Sequence, residues 1–436
     1  MRARDRPRRA RGRAVGRHRA AGPSARLRHR LGWFPGRRRT RRASQRRARA
    51  VSATPIAAGD ARALTRALVR IDSRNPGLVP GGPGESACVA LLREVLDAWG
   101  FYTEVHDAAP GRPNLLARIG SARGARTLML SGHTDVVGVE GMAHEPFAGE
   151  ERDGRLYGRG SADMKGGIAA MCAAAWHAAR DALAGEILVA VTADEEYESI
   201  GTRAMLERGV RADAAIVGEP TRLEVMPAHR GFVWIEVIVA GRAAHGSRWD
   251  LGVDAIRHAG LLLAELDRID AEELTRRTHP LLGRASLHAS TIEGGIGMST
   301  YPDRCVLRLE RRTLPGESGE DAVGEVRRAY AAVRARHPDL TAQVSLLMAQ
   351  GPSDVALDAP VVCALEDALR EQGEAVHVSG MSAWTDAALL NAAGIPAICF
   401  GPGDISLAHA AEEYIPLPEI DRAASVLATL ARRWCA

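Results

Sequence analysis

The chain has 436 residues, 46% hydrophobic and 25% charged. That is an ordinary globular composition with room for two to three domains, and no apolar run reaches the ~18 residues of a membrane-spanning helix. Its six cysteines, Cys88, Cys172, Cys305, Cys363, Cys399 and Cys435, include no Cys-x-x-Cys pair. This excludes a zinc ribbon, a thioredoxin-type motif and a disulfide scaffold, and suits a reducing, cytoplasmic setting.

The net charge of +5 conceals a basic head on an acidic body. Residues 1–50 carry 20 arginines and one acid, Asp5, so the other 386 residues carry a net −14. Like charges repel, and little apolar surface offsets chain entropy, so residues 1–55 are expected to be a disordered Arg-rich extension. A non-functional extension, a targeting peptide and a nucleic-acid-binding arm are its three readings. The absence of an apolar h-region argues against secretion, and Trp33 and Phe34 stand alone without an aromatic ladder for nucleic acid.

From Ile56 the pattern turns globular. Ala61, Leu64, Leu68 and Ile71 recur at helical spacing over 59–71, and 87–99 reads as a second helix stopped at Gly100. Strands at 127–132, 186–193 and 214–218 then alternate with helices at 166–183 and 202–209. Such alternation predicts a mostly parallel sheet covered by helices. After Pro227 the order becomes strand 232–241, helix 253–269, strands 285–294 and 304–314, helix 319–337 and strand 341–349. That βαββαβ order is the ferredoxin-like split unit, read as an inserted second domain. The α/β pattern resumes with helix 359–373, strand 395–403 and helix 418–434, and no internal repeat is visible.

Metal-binding residue types cluster just past the predicted strand ends, where open α/β sheets bind ligands. His133 and Asp135 follow TLMLSG, and Asp163 precedes the Ala-rich helix. Glu195 and Glu196 follow EILVAVTAD, Glu219 follows AAIVG, and His409 follows ICFGPGD. Two imidazoles and several carboxylates suit one or two divalent ions with mixed N/O ligation. Adjacent Glu195 and Glu196 point apart, so one can bind metal while the other faces substrate as a base. Gly158, Gly160, Gly166 and Gly167 form no phosphate-binding loop, since no G-x-x-x-x-G-K-[ST] is present. Lys165 is expected to make a local ion pair beside Asp163. Cys172 and Cys399 are expected to be small buried hydrophobes.

The stretches SGHTDVVGVEG, DGRLYGRGSADMKGG, VTADEE, IVGEPT, AGRAAHGS, YPDRCVLRLERRTLPGE and AGIPAICFGPGD…AH occur in order over roughly 58–436. Together they resemble the M20 metallopeptidase family, in its acetylornithine deacetylase / succinyl-diaminopimelate desuccinylase-like branch. The resemblance implies an α/β fold: a mostly parallel-sheet di-metal catalytic domain in two parts, 56–228 and 350–436, with an inserted ferredoxin-like dimerisation/lid domain at 229–349. It implies two divalent ions per subunit, Zn²⁺ or alternatively Co²⁺. His133 and Glu219 would hold one, Glu196 and His409 the other, with Asp163 bridging and Asp135 orienting the His133 ring. It implies Glu195 as general base, His245 reaching the active site of a second subunit to stabilise the oxyanion, Arg312 binding the substrate carboxylate, and Gly401 lining the pocket through its backbone.

Ser299-Thr300-Tyr301-Pro302 departs from the family's Asn-x-x-Pro, which puts the substrate contact at Ser299 in question. The expected activity is hydrolysis of an N-acyl amino acid or short peptide by a homodimer without a membrane or nucleic-acid partner. A di- or carboxypeptidase and an N-carbamoyl amidohydrolase are the alternatives. A non-catalytic binding protein on the same fold is the reading from a different class. Trp384 is a candidate pocket wall.

Overall fold

The structure, a computed structural model, describes residues 55–121 and 126–436. The disorder expected of the Arg-rich head falls outside the described residues. Residues Pro55–Ala436 form one compact unit.

Its centre is a nine-stranded sheet. In spatial order its main path runs Tyr102–Ala109, Arg112–Gly120, Glu186–Thr192, Thr127–His133, Ala214–Val217, Ala397–Cys399, Val225–His229 and Ser353–Asp354, and Val378–Met381 pairs beside Val225–His229. The four middle strands, from Glu186–Thr192 to Ala397–Cys399, are parallel. They are buried on both faces, which is why they read as continuous apolar runs rather than alternating ones. Leu128 and Leu130 enter one core and Met129 the other, as the two-residue period of a strand requires.

The sequence reading assigned nothing to 102–120, which forms an antiparallel hairpin on the sheet's edge. Its outer strand is half exposed and mostly polar, so it carries no apolar signature. The expected strand 395–403 shrinks to Ala397–Cys399 and the expected helix 166–183 ends at Ala178.

The Ala-rich helix Gly166–Ala178 packs between the central sheet and the helix Leu417–Trp434. Small residues allow that close approach. A Cβ on Gly167 would meet the Gly218 carbonyl oxygen at 1.9 Å, so this glycine serves packing. Cys172 and Cys399 are buried, and burial pushes the Cys172 thiol up to about 12, leaving it an inert apolar group. Lys165 differs from expectation. It is fully buried, and its Nζ donates to the Ile71 carbonyl at 2.8 Å in place of an ion pair.

A second sheet runs Ser286–Gly294, Arg304–Thr313, Gly231–Ala240, Thr341–Gln350, antiparallel throughout. That is the ferredoxin-like order. The helices Ala255–Glu272 and Gly319–Arg336 cover one face, capped by Asp254 and by a reciprocal Ser318–Asp321 box. Val233, Ile235, Val237 and Val239 point into that layer. The alternate residues, Phe232 and Trp234 among them, therefore leave from the opposite face. No helix among the described residues is long and apolar enough to cross a membrane.

Gly167→Ala forces a methyl group into a backbone carbonyl that has no room to retreat. We expect a loss of about 3 kcal/mol in urea-induced unfolding; a change within error would mean that the helix can slide away from the sheet.

Candidate active site

Four strand ends converge. Thr127–His133 delivers His133, and the turn after Glu186–Thr192 carries Glu195 and Glu196. Ala214–Val217 leads to Glu219, and the loop after Ala397–Cys399 brings His409. Asp163 comes from the loop that opens the Ala-rich helix. Its two oxygens face different ways. Oδ1 lies 3.2 Å from His133 Nε2, and Oδ2 lies 3.6 Å from His409 Nε2. His409 Nε2 is also 3.0 Å from Glu196 Oε2, and Glu195 Oε2 is 3.7 Å from His133 Nε2.

The other nitrogen of His133, Nδ1, lies 3.0 Å from the Asp135 backbone carbonyl and 3.6 Å from its carboxylate. The carbonyl is thus the closer partner of the ring. The Asp135 carboxylate instead accepts the backbone N–H groups of Glu195 and Glu196, each at 3.2 Å, and the Asn75 amide at 2.8 Å. Asn75 also donates to Asp194, which Arg112 joins to buried Glu85. This chain of bonds fixes the turn that presents the two glutamates.

The cluster holds excess negative charge. Burial, reinforced by neighbouring carboxylates, pushes Glu195, Glu196 and Glu219 upward, the first and last strongly. Burial works against protonated histidine, yet the hydrogen bond to Glu196 lifts His409 to about 9, and bonds to Asp135 and Asp163 lift His133 well above its usual value. Glu219 Oε1 is buried with no hydrogen-bond partner among the described residues. A buried, orphaned carboxylate oxygen is costly unless a cation meets it. Ligand atoms of His133, Glu195 and Glu219, and of His133, Asp163 and Glu196, lie within 4.8 Å of one another in each group. These residues fit divalent metal ions, with imidazole and carboxylate donors of the zinc type.

Asp163, Glu195, Glu196, Glu219 and His409 line one cavity of about 390 Å³, together with Arg312 and Trp384. Three expected residues are elsewhere. His245 is exposed in the second sheet's domain, in a β-bridge with Thr300, and Ser299 accepts the neighbouring Gly246 N–H. Gly401 does not line the cavity. Its N–H and carbonyl are taken by Thr221 and Leu223, and a Cβ there would meet the Glu219 carbonyl at 2.5 Å. Gly401 is a close-packing position, and its backbone is not open to substrate.

Residues 129–433 match the profile of Peptidase family M20/M25/M40. The chain belongs to that family. It is therefore an amide-bond hydrolase. It is 33% identical over 350 residues to an acetylornithine deacetylase of Myxococcus xanthus, covering 78% of this chain and 90% of that one. It is 30% identical over 379 residues to an acetylornithine deacetylase of Proteus mirabilis (strain HI4320), covering 85% and 96%. Among solved structures it is similar to an M20 family metallo-carboxypeptidase from Sulfolobus solfataricus, with TM-score 0.71, 17% identity, and 86% and 99% of the two chains covered. It is also similar to a dinuclear metal-binding M20 peptidase from Bacillus subtilis, with TM-score 0.65, 18% identity, and 86% and 97% covered.

Within this M20 chain, the sequence reading missed a buried pair. Arg159 NH1 donates to Glu413 Oε2 at 2.7 Å, and Glu413 also accepts the N–H groups of Gly160, Ala162 and Asp163 at 3.0–3.2 Å. Arg159 reaches the Gly138 and Ala410 carbonyls as well. The pair thereby staples the Asp163 loop to the segment that carries His409. The residues lie 254 positions apart, so no local pattern reveals them.

Glu413→Gln leaves the Arg159 guanidinium buried without its counter-charge. We expect about 3 kcal/mol less stability to urea; an unchanged midpoint and slope would mean that the pair does not hold the Asp163 loop.

Proposed function

We propose that this M20 hydrolase removes the acyl group from N-acyl amino acids, in the manner of the acetylornithine deacetylase / desuccinylase-like branch. The observation that carries the reading is Asp163. One oxygen faces His133 and the other His409, with Glu195 alongside and the cavity open in front. A carboxylate so placed suits a bridge between two ions. In this proposal His133 and Glu219 would hold one, Glu196 and His409 the other, with zinc as the native metal and cobalt as a substitute. Bound there, the ions would supply Lewis acidity that polarises the acyl carbonyl and acidifies a water.

The chain's own residues do the rest. Glu195 takes a proton from the attacking water and returns it to the leaving amine. It lines the cavity with its Oε2 3.7 Å from His133 Nε2, beside the proposed metal position. The bond cut is the amide C–N, and the products are a carboxylate and an amine. Arg312, from the strand Arg304–Thr313 of the second sheet, lines the cavity and is proposed to grip the substrate carboxylate.

His245 is exposed and is not among the residues that line the cavity. Its Nδ1 accepts the Ser247 N–H at 3.2 Å and lies 2.8 Å from Ser247 Oγ, which leaves Nε2 as the ring nitrogen open to a partner. We propose that it donates to the oxyanion in a second copy of the chain. The edge strand Ser286–Gly294 supports a homodimer. It is unpaired on one side among the described residues, and Ile296 and Met298, just past its end, are 85% and 104% exposed. Cysteines without disulfides suit a cytoplasmic enzyme. A carboxypeptidase is the second reading, because Arg312 would grip a peptide's terminal carboxylate equally well.

Amine release from N-acetyl, N-succinyl and N-carbamoyl amino acids and dipeptides tests the reading. We expect release from an N-acyl class that a chelator abolishes and Zn²⁺ or Co²⁺ restores; release from dipeptides alone would select the second reading. Glu195→Ala should nearly abolish turnover while bound metal, measured by elemental analysis, persists. His245→Ala should lower kcat by about 10²-fold, the cost of one oxyanion donor, and a normal kcat would end its proposed role in trans.

A further inference from the structure

The cavity that the carboxylates line also has a wall of aromatic rings. Phe232 and Trp234 leave the same face of the strand Gly231–Ala240, and Trp384 meets them from the catalytic side. The Phe232 and Trp234 centroids are 5.2 Å apart, and Phe232 and Trp384 stand edge-to-face at 6.2 Å and 89°. The polar atoms of this wall are already paired. Trp384 Nε1 donates to the Gly351 carbonyl at 2.9 Å, and Trp234 Nε1 donates to Glu310 Oε2 at 2.9 Å. The second oxygen of Glu310 accepts from Arg312 Nε at 2.7 Å. The Arg312 guanidinium also lies over the Phe232 ring at 5.6 Å.

Two consequences follow from this pairing. Both Glu310 oxygens are occupied, so this wall offers no unpaired carboxylate to an ammonium group. Ring faces attract cations, but the Arg312 guanidinium already lies over Phe232, so a second cationic side chain would shed water beside a like charge. A flat or bulky apolar side chain meets no such repulsion, and the rings reward its burial. Arg312 keeps its terminal nitrogens unbonded among the described residues, because only Nε is committed to Glu310. The carboxylate and side chain of an amino acid leave the same carbon. A carboxylate held by those nitrogens therefore sets the side chain against the rings.

We infer that the cavity selects N-acyl amino acids with aromatic or bulky aliphatic side chains over those with a cationic one, and that Phe232, Trp234 and Trp384 determine that choice. The inference rests on the deacylase reading for the bond that is cut, whereas the choice of side chain rests on the wall alone.

The test pairs turnover with binding. Metal-loaded enzyme is assayed on N-acetyl-L-phenylalanine, N-acetyl-L-leucine, N-acetylglycine and N-acetyl-L-ornithine. Metal-loaded Glu195→Ala is titrated calorimetrically with the same compounds. We expect kcat/KM at least tenfold higher for phenylalanine and leucine than for ornithine, and the same order in binding. Trp384→Ala, and independently Trp234→Leu, should lower the phenylalanine-to-glycine ratio of kcat/KM by tenfold or more.

Turnover or binding that favours ornithine overturns the inference and leaves the deacylase reading standing. Tighter binding of the aromatic compounds with no turnover of any of them overturns the deacylase reading and leaves the subsite standing. An unchanged ratio in both tryptophan variants shows that the rings only pack the fold, and the inference fails.

Discussion

Several carboxylates within a few ångströms of one another, at the buried end of a parallel sheet, are an unstable arrangement without cations. The positions of the rest of the chain can be understood from that constraint. Asp163 sits among carboxylates because His133 and His409 flank it and because the Arg159–Glu413 staple holds its loop from behind. Asp135 spends its carboxylate on the backbone of Glu195 and Glu196, so the two side chains project into the cavity with little freedom. Fixed, desolvated donors of this kind are poor partners for water and good partners for a divalent ion.

The second sheet faces a different problem. Its helix-covered side is an ordinary apolar core, and its other side must present something to the cavity. The strand period of two makes this economical. Val233 and Ile235 build the core, while Phe232 and Trp234 between them face the opposite way. One strand thus carries both the domain's stability and the cavity's aromatic wall. The apolar residues Ile292, Ile296 and Met298 on or just past the edge strand of the same sheet are exposed.

Much of the site was legible in sequence. His133, Asp163, Glu195, Glu196, Glu219 and His409 each follow or flank an apolar run that ends in a ligand-type residue, and the α/β alternation placed those ends on one edge of a sheet. The longer strands and helices from 127 onward were read to within a few residues, because buried parallel strands and amphipathic helices have distinct periods, but the short strands Val225–His229, Ser353–Asp354 and Val378–Met381 and the helix Ala387–Ala392 went unread. The edge hairpin 102–120 was missed because half-exposed strands carry a weak apolar signal. Glu310 and Trp234 were overlooked as cavity residues, although the alternation in FVWIEV was enough to put the Trp234 side chain on the face away from the core.

By itself, the sequence determined the order of elements, the set of ligand-type residues and the family. All of these are encoded locally, in spacing and in short runs. Tertiary structure alone decided which residues share a site. It joined Arg159 to Glu413, turned Asp163 between two histidines, put Gly401 into packing and left His245 outside the cavity. It also decided that the charge of Arg312 would be shared with Glu310 over an aromatic ring. Each of these depends on contacts between segments that meet only after the sheet has closed. A burial penalty or an ion pair exists only once the two groups are brought within a few ångströms in a medium that excludes water.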